Sequence, residues 1–193
     1  MITISRTKSL AAVITLAASS LTAIPVAAQS TSEAQSAASL SVVMEFLANT
    51  APDKVEAAAQ RLAAPDATYV SLNFDNPELQ KILPWTGTNK GPEAFSSLFL
   101  QLADYWKTED FTVTDKIASG EDVAIFGKFT YRSVAVDRVF TSPFSIHAKV
   151  RDGKMIYFQF MEDTYASASS FRQSGSWTVK TPDDAAPFKV GEE

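Results

Sequence analysis

The single histidine of the chain, His147, is the first candidate for proton-transfer chemistry. Downstream of it, the Arg-Asp-Gly-Lys stretch at 151–154 is typical of a two-residue hairpin turn between antiparallel strands. This turn predicts a register in which His147 pairs with Phe158 and shares a face with Phe158 and Phe160. If that face lines a cavity, the enclosed imidazole stays neutral and can act as a base or hydrogen-bond partner. The alternatives are a histidine satisfied by neighbouring groups and one that lies at a dimer face.

Three polar side chains alternate along an earlier segment. Residues 67–74 are rich in β-branched and aromatic types, which predicts a strand. Alternation then places Tyr69, Ser71 and Asn73 together on one face of that strand. Their hydroxyl and amide groups could polarise a ligand carbonyl, as oxyanion donors do. Ordinary polar alternation on a half-exposed strand is the alternative.

Two adjacent acids, Glu162 and Asp163, end the last predicted strand. Carboxyl groups are common general acids and bases. Because neighbouring strand residues point to opposite faces, these two cannot form a close dyad. Glu162 falls on the face of Phe160 and is therefore a candidate ligand-binding residue. The alternative is a salt bridge from either acid, for example to Arg132 or Arg172.

The segment from Asp75 to Lys90 is long for a connection and contains Trp85. Long ordered connections are often lids or binding loops. Trp85, with Tyr105 and Trp106, could close a cavity over an apolar ligand. Packing in the core is the alternative, and it fits Trp106 better than Trp85.

The composition excludes several kinds of site. The 193-residue chain contains no cysteine and one histidine, which rules out disulfides, cysteine-ligated zinc, thiol nucleophiles and histidine-rich metal sites. Its formal charge of −5 gives no affinity for phosphate through counterion release, so we expect no nucleic-acid partner. We expect no metal and no organic cofactor.

The first 28 residues predict a secretory signal peptide. Arg6 and Lys8 form a basic start, an apolar stretch of about 15 residues follows, and small residues around Ala28 favour cleavage after that position. The apolar stretch is shorter than the roughly 20 residues needed to span a bilayer. We therefore expect export to the periplasm or the cell exterior, no membrane association after cleavage, and a flexible leader over 29–38.

The remaining pattern predicts a single α+β domain over 39–172. Apolar residues at helical spacing predict three helices, over 40–47, from Pro52 to before Pro65, and from the Gly91-Pro92 pair onwards. From Phe111 to Met161 alternating residues predict a four-stranded antiparallel meander. Three amphipathic helices packed on one face of a curved sheet would leave a concave mouth. Residues 173–193 are predicted to form a partly ordered tail.

This order of elements resembles the nuclear transport factor 2-like superfamily and, within it, the SnoaL-like group. The resemblance is carried by the helix start at 91–94 (Gly-Pro-Glu-Ala), the turn at 151–155 and the strand end at 160–164 (Phe-Met-Glu-Asp-Thr). It implies a cone of sheet and helices around a pocket, and a homodimer made by the outer face of the sheet. The superfamily includes isomerases, cyclases, dehydratases, an epoxide hydrolase and members without enzymatic activity.

The resemblance also suggests roles for single residues. In the epoxide hydrolase a tyrosine and an asparagine hold a water, and these positions fall on Tyr69 and Ser71. The acid that hydrolases and cyclases use on the last strand falls on Phe160, with Glu162 on the same face. The oxyanion acid of the isomerase falls near Ile146, beside His147. No complete catalytic set of a known member is therefore present.

We consequently expect an exported protein that binds a small, largely apolar or aromatic molecule. The expected ligand-binding residues are Tyr69, Ser71, Asn73, Trp85, His147, Phe158, Phe160 and Glu162. One alternative is a cofactor-independent isomerase, cyclase, dehydratase or hydrolase that uses His147 as its base and Tyr69 as a hydrogen-bond donor. The other is a structural or partner-binding homodimer without an active pocket.

Overall fold

A computed structural model describes residues 26–191, with side chains from residue 32 onwards. The signal-peptide prediction falls mainly on residues outside this range. The helices are α1 (Val26–Leu47), α2 (Val55–Leu62), α3 (Pro77–Gln80), α4 (Pro92–Tyr105) and α5 (Thr164–Ser169). The strands are β1 (Ala63–Ser71), β2 (Gly87–Lys90), β3 (Trp106–Ser119), β4 (Asp122–Ser133), β5 (Val139–Arg151), β6 (Lys154–Glu162), β7 (Trp177–Val179) and β8 (Phe188–Val190).

The main sheet has six strands in the order β2-β1-β6-β5-β4-β3. The predicted antiparallel meander is confirmed as β3 to β6. Strand β1 then joins β6 in parallel, and β2 adds to β1 in antiparallel fashion. The sheet is thus mainly antiparallel, and the α+β class expected from the sequence is confirmed.

The core lies between one face of this sheet and helices α1, α2 and α4. Four buried rings connect these layers, since Phe46 of α1 and Phe95 of α4 meet Tyr69 and Phe158 of the sheet. The ring centroids of Tyr69 and Phe158 are 5.2 Å apart in a stacked arrangement. Aromatic pairs of this kind contribute about 0.5–1.5 kcal/mol beyond the area they bury. The cluster holds the two neighbouring strands in fixed positions.

Helix α1 is longer than the sequence predicted. Residues 29–38, expected to form a flexible leader, are helical. Two serines attach this helix to the turn between β3 and β4: Ser39 Oγ donates to the carbonyl of Gly120 at 2.7 Å, and the Gly120 N–H donates to Ser36 Oγ at 2.9 Å. Within residues 26–191 no helix combines the length and apolar character needed to cross a membrane.

Several other element bounds differ from the prediction. Helix α2 begins at Val55 rather than Pro52, and the expected long loop contains α3 and β2. Strand β1 ends at Ser71, because Leu72 has a positive φ of 62° and turns the chain. In the expected tail, β7 and β8 form a two-stranded sheet.

The predicted register of the β5–β6 hairpin is wrong by one residue. Val150 pairs with Met155 as expected, but the register shifts between Lys149 and Val150. His147 therefore lies opposite Gln159, and Phe158 lies opposite Ala148. Because side chains alternate between faces, a one-residue shift moves His147 to the opposite face from Phe158.

Gly127 is required where β4 passes Phe144. A Cβ atom at this position would lie 2.2 Å from the Thr112 carbonyl oxygen and 2.5 Å from the Phe144 ring. We expect Gly127→Ala to lower the free energy of unfolding by about 3 kcal/mol, the upper end of the usual cost of overpacking. Urea denaturation measures this change. Gly153→Ala is the matched control, because its Cβ would meet nothing within 4 Å and only its φ of 74° is unfavourable. An equal loss in both variants would contradict the steric explanation.

Candidate active site in the aromatic pocket

A cavity of about 500 Å³ opens at the end of the molecule where α4 and the ends of β1 and β6 meet. This volume lies within the range of about 300–1,000 Å³ that is usual for small-molecule sites. Its lining is mostly aromatic and aliphatic. It consists of Leu47, Thr50, Ala51, Pro52, Tyr69, Ser71, Leu72, Trp85, Leu98, Phe99, Leu102, Ala103, Trp106, Thr108, Phe111, Tyr131, Phe160 and Glu162.

Glu162 is the one ionisable carboxyl in this lining. It is the last residue of β6, two residues after Phe160, so both side chains point to the same face as predicted. Burial raises the pKa of the carboxyl to about 7, and the charge of Asp163 acts in the same direction. A hydrogen bond from Ser167 Oγ to Glu162 Oε1 partly opposes this effect. Near neutral pH, Glu162 is therefore present in both its protonated and its ionised form.

Two tyrosines share the cavity with Glu162. Burial, and then the charge of Glu162, raise the pKa of Tyr69 far above its ordinary value. The pKa of Tyr131 rises to about 12, mainly through burial, while a hydrogen bond with Thr108 opposes the rise. Both phenols therefore stay protonated and can donate hydrogen bonds. Among the described residues the Tyr69 hydroxyl has no hydrogen-bond partner, so it can donate to a ligand.

The aromatic side of the cavity is held by ring contacts and one hydrogen bond. Trp85 and Trp106 meet edge to face with their centroids 4.8 Å apart. Trp106 Nε1 donates to Ser170 Oγ at 3.0 Å. Phe160, which also lines the cavity, stacks on Phe144 with the ring centroids 5.4 Å apart. The lining thus offers apolar ring faces on which a flat ring of a ligand could stack.

The charges around the cavity disfavour a negatively charged ligand. The lining residues include no lysine or arginine, and Glu162 is the group that can carry a negative charge. A carboxylate or phosphate would have no cation to pair with there and would be repelled by ionised Glu162. Among residues 32–191, no group of three histidine, cysteine, aspartate or glutamate side chains could hold a metal ion.

His147 lies outside the cavity, on the opposite face of the sheet, which corrects the predicted placement. Its Nε2 is 3.0 Å from Asp122 Oδ1, which also accepts a hydrogen bond from Lys149 Nζ at 2.7 Å. Its ring packs beside Tyr157, and 43% of its side chain is exposed. The hydrogen bond from His147, followed by the one from Lys149, lowers the pKa of Asp122. The histidine therefore forms part of a surface ion-pair cluster.

Two further candidates also lie outside the lining. Phe158 is fully buried in the core beneath Tyr69. Asn73 is beyond the end of β1, where its N–H donates to the Ser71 carbonyl at 2.7 Å. Its Oδ1 is buried without a hydrogen-bond partner in the described part of the chain. The predicted candidates that the structure brings together are thus Tyr69, Ser71, Trp85, Phe160 and Glu162.

Tyr131 is the ionisable residue of the pocket lining that the sequence analysis missed. It lies on β4, where it follows Phe129 at a spacing of two. Alternation along 123–131 places both residues on the inner face, so the pattern contained the signal. Neighbouring Arg132 instead points outward and binds Glu109 and Asp137.

The position of His147 leads to a direct test. We expect His147→Ala to leave turnover and ligand affinity within about twofold of the unchanged protein, because the imidazole does not line the cavity and its contacts with Asp122 and Tyr157 lie on the other face of the sheet. Steady-state kinetics of both proteins measure this. Loss of turnover with the fold intact, as judged by circular dichroism, would show that His147 takes part in the reaction.

The chain is similar to two curated proteins. It is 41% identical over 131 residues to patulin synthesis protein F of Aspergillus clavatus, covering 66% of this chain and 66% of that protein. It is 37% identical over 134 residues to patulin biosynthesis cluster protein F of Penicillium expansum, covering 68% of this chain and 67% of that protein. The chain thus spans about two thirds of the length of these relatives. No protein-family model matches it.

Solved structures share the fold at low sequence identity. A nuclear transport factor 2-like protein of Burkholderia xenovorans superposes with a TM-score of 0.60 at 20% identity, covering 71% of this chain and 98% of that one. A protein assigned as a SnoaL-like polyketide cyclase of Jannaschia sp. CCS1 gives a TM-score of 0.57 at 10% identity, covering 72% and 95%. These matches establish the architecture.

Proposed function

We propose that this chain, which has the nuclear transport factor 2-like fold and belongs to one family with the two patulin proteins, is an enzyme that moves protons on a small molecule without negative charge. Glu162 is the group that gives and takes the proton. Tyr69 and Tyr131 donate hydrogen bonds to the oxygen on which negative charge develops. This assignment replaces the histidine base expected from the sequence with a carboxyl.

The observation that carries the proposal is the position of Glu162. Its carboxyl lies in an aromatic cavity with a pKa raised to about 7, beside two phenols that remain protonated. A catalytic acid or base is most effective when its pKa is close to the working pH. Buried groups with such shifts inside a cleft are typical of active sites.

The reaction follows from these groups. Ionised Glu162 takes a proton from a substrate carbon next to a carbonyl, and the electron pair of that C–H bond moves to form an enolate. Tyr69 or Tyr131 donates a hydrogen bond to the enolate oxygen, which lowers the energy of that state. Protonated Glu162 then returns the proton to another atom, which completes an isomerisation. If it protonates a leaving hydroxyl instead, water departs and the reaction is a dehydration.

The relatives support a substrate of low molecular weight. Their names place both in patulin synthesis, and we propose that this chain likewise acts in the synthesis of a small natural product. The absence of lysine and arginine from the cavity lining supports a substrate without negative charge, and the rings of Trp85, Trp106 and Phe160 in that lining support one with a ring. No metal or organic cofactor is required for these steps.

Binding without turnover is the second candidate, supported by the size and apolar lining of the cavity. The probe 5-nitrobenzisoxazole separates the two, because its ring opens when a base removes a single proton and the product is coloured. We expect the protein to open this probe at least about 10²-fold faster than the same concentration of acetate at pH 8. A rate no higher than that of acetate, together with saturable binding of the probe, would support the binder and contradict the enzyme.

Export and dimer formation remain proposals. Arg6, Lys8 and the apolar stretch after them support export with cleavage after Ala28, which the mass of the mature protein would test. Phe126 and Met161 are exposed in one register row on the outer face of the sheet, on either side of Ser145, which supports a homodimer through that face. Sedimentation equilibrium at micromolar concentration would detect a monomer if this is wrong.

A further inference from the structure

Helix α5 lies directly behind the pocket carboxyl. One residue, Asp163, separates it from β6, and Asp163 caps the helix by accepting a hydrogen bond from the Ala166 N–H at 3.0 Å. The Asp163 N–H in turn donates to Ser142 Oγ at 2.8 Å, which fixes the start of the helix to β5. Ser167 on this helix is fully buried. The hydrogen bonds of Asp163, the residue after Glu162, therefore set the position of Ser167 relative to the Glu162 carboxyl.

The Ser167 hydroxyl reaches two oxygen atoms. It contacts Glu162 Oε1, and it also lies 2.8 Å from the carbonyl oxygen of Asp163. A hydroxyl has one proton, so it cannot donate to both at once, although it can accept while it donates. The backbone N–H of Ser167 already donates to the same Asp163 carbonyl at 3.1 Å. The hydroxyl proton can therefore turn away from the Asp163 carbonyl, because that carbonyl keeps its hydrogen bond from the Ser167 N–H.

Each protonation state of Glu162 thus has its own arrangement. When the carboxyl is ionised, Ser167 Oγ donates to Oε1. When the carboxyl is protonated on Oε1, it donates to Ser167 Oγ, which then turns its proton to the Asp163 carbonyl. When the proton sits on Oε2 instead, Ser167 Oγ still donates to Oε1. In every state Oε1 stays bonded to Ser167, and Oε2 is the oxygen left to exchange a proton with a ligand.

We propose that Ser167 is a positioning residue that keeps Glu162 hydrogen-bonded in both protonation states and directs Oε2 into the cavity. The proposal rests on the proposed function, in which one carboxyl must act first as a base and then as an acid. A second buried serine supports the same wall, because Ser170 Oγ accepts from Trp106 Nε1 and donates to the Ser167 carbonyl at 2.7 Å. Helix α5 therefore orients an acid and an indole of the pocket together.

Other titratable groups also act on Glu162. Tyr69 of β1 and Tyr131 of β4 share the cavity with it, and Asp163 adds a negative charge from the adjacent position. Arg138 packs on the far end of α5, where it donates to the carbonyls of Ser169 and Arg172. A substitution at Ser167 leaves these groups in place, so its effect reports the hydroxyl.

Ser167→Ala tests the proposal, with Ser169→Ala as the matched change on the same helix and Ser167→Thr as the variant that keeps the hydroxyl. The ionised carboxyl loses a charge-assisted hydrogen bond, and the neutral carboxyl loses a weaker one. We therefore expect the Glu162 pKa, read from the carbon-13 shift of the labelled carboxyl in ligand-free protein, to rise by about one unit in Ser167→Ala. Turnover of 5-nitrobenzisoxazole should fall at least about fivefold at pH 7, where fewer carboxyls are ionised, and should stay below that of the unchanged protein at pH 9, because Oε2 is no longer directed at the ligand. Full recovery by pH 9 would overturn the directing role of Ser167.

The outcomes separate this proposal from the enzyme proposal. In Ser169→Ala and Ser167→Thr the Glu162 pKa should stay within about 0.3 units of its value in the unchanged protein, because neither change removes the hydrogen bond to the carboxyl. An unshifted or lowered Glu162 pKa in Ser167→Ala, or an equal shift in Ser169→Ala, would overturn the role of Ser167 even if turnover is fast. If the protein shows no turnover, the enzyme proposal fails, while the carboxyl titration still decides the role of Ser167.

Discussion

Replacing Glu162 with glutamine is expected to lower turnover of 5-nitrobenzisoxazole by about 10²–10⁴-fold, the usual contribution of a positioned base. Glutamine has nearly the same shape, and its amide oxygen can still accept the hydrogen bond from Ser167 Oγ. It cannot take up a proton at any pH used for the assay. The cavity should therefore keep its affinity for the probe while losing the reaction, so that kcat falls and KM changes little.

Glu56→Gln provides the control for that experiment. Glu56 is an exposed acid on α2 and does not line the cavity. The same chemical change there should leave kcat and KM within experimental error. If Glu162→Gln retained more than about a tenth of the turnover, the carboxyl would not be the base, since the loss would fall below the usual range.

The second large effect concerns stability. The Glu162 pKa is about 7 in the folded protein and 4.5 in the unfolded chain. Between these values the folded state holds a proton that the unfolded state has lost, so stability falls as pH rises. The shift corresponds to about 3 kcal/mol, and partial solvent access through the mouth reduces this to about 2 kcal/mol. Above pH 7 the loss is complete.

Glutamine at position 162 removes this penalty because it is neutral at every pH. We expect Glu162→Gln to match the stability of the unchanged protein at pH 4 and to exceed it by about 2 kcal/mol at pH 8. Urea denaturation of both proteins at pH 4, 6 and 8 measures the difference. Parallel pH dependence of the two proteins would mean that Glu162 is solvated and not perturbed.

The elements with strong local patterns could be predicted from the sequence. Helix α4 has a wide apolar stripe after Gly91-Pro92, and β3 to β6 alternate around short turns, so both are predicted, although β3 begins at Trp106 and not at Phe111. The parallel pairing of β1 with β6 joins segments about 90 residues apart, and local patterns carry no information on such contacts. The helical state of residues 29–38 depends on contacts of Ser36 and Ser39 with the distant Gly120 turn.

The candidate site was predicted in part for the same reason. Tyr69, Phe160 and Glu162 follow simple alternation and were placed on the pocket face. His147 was misplaced because one irregular position between Lys149 and Val150 reverses the faces beyond it. The raised pKa of Glu162 comes from burial by elements far away in the chain, so local sequence patterns offer no reason to prefer this acid over the histidine.

The pH dependence of kcat/KM for 5-nitrobenzisoxazole tests the central claim, that Glu162 is the proton-transferring group of the pocket, most directly. The ligand-free carboxyl must be ionised to remove a proton, so kcat/KM should rise with pH, with a midpoint at about 7. In Glu162→Gln the same profile should be low and flat. A midpoint near 4.5, or an unchanged profile in Glu162→Gln, would contradict the assignment of Glu162.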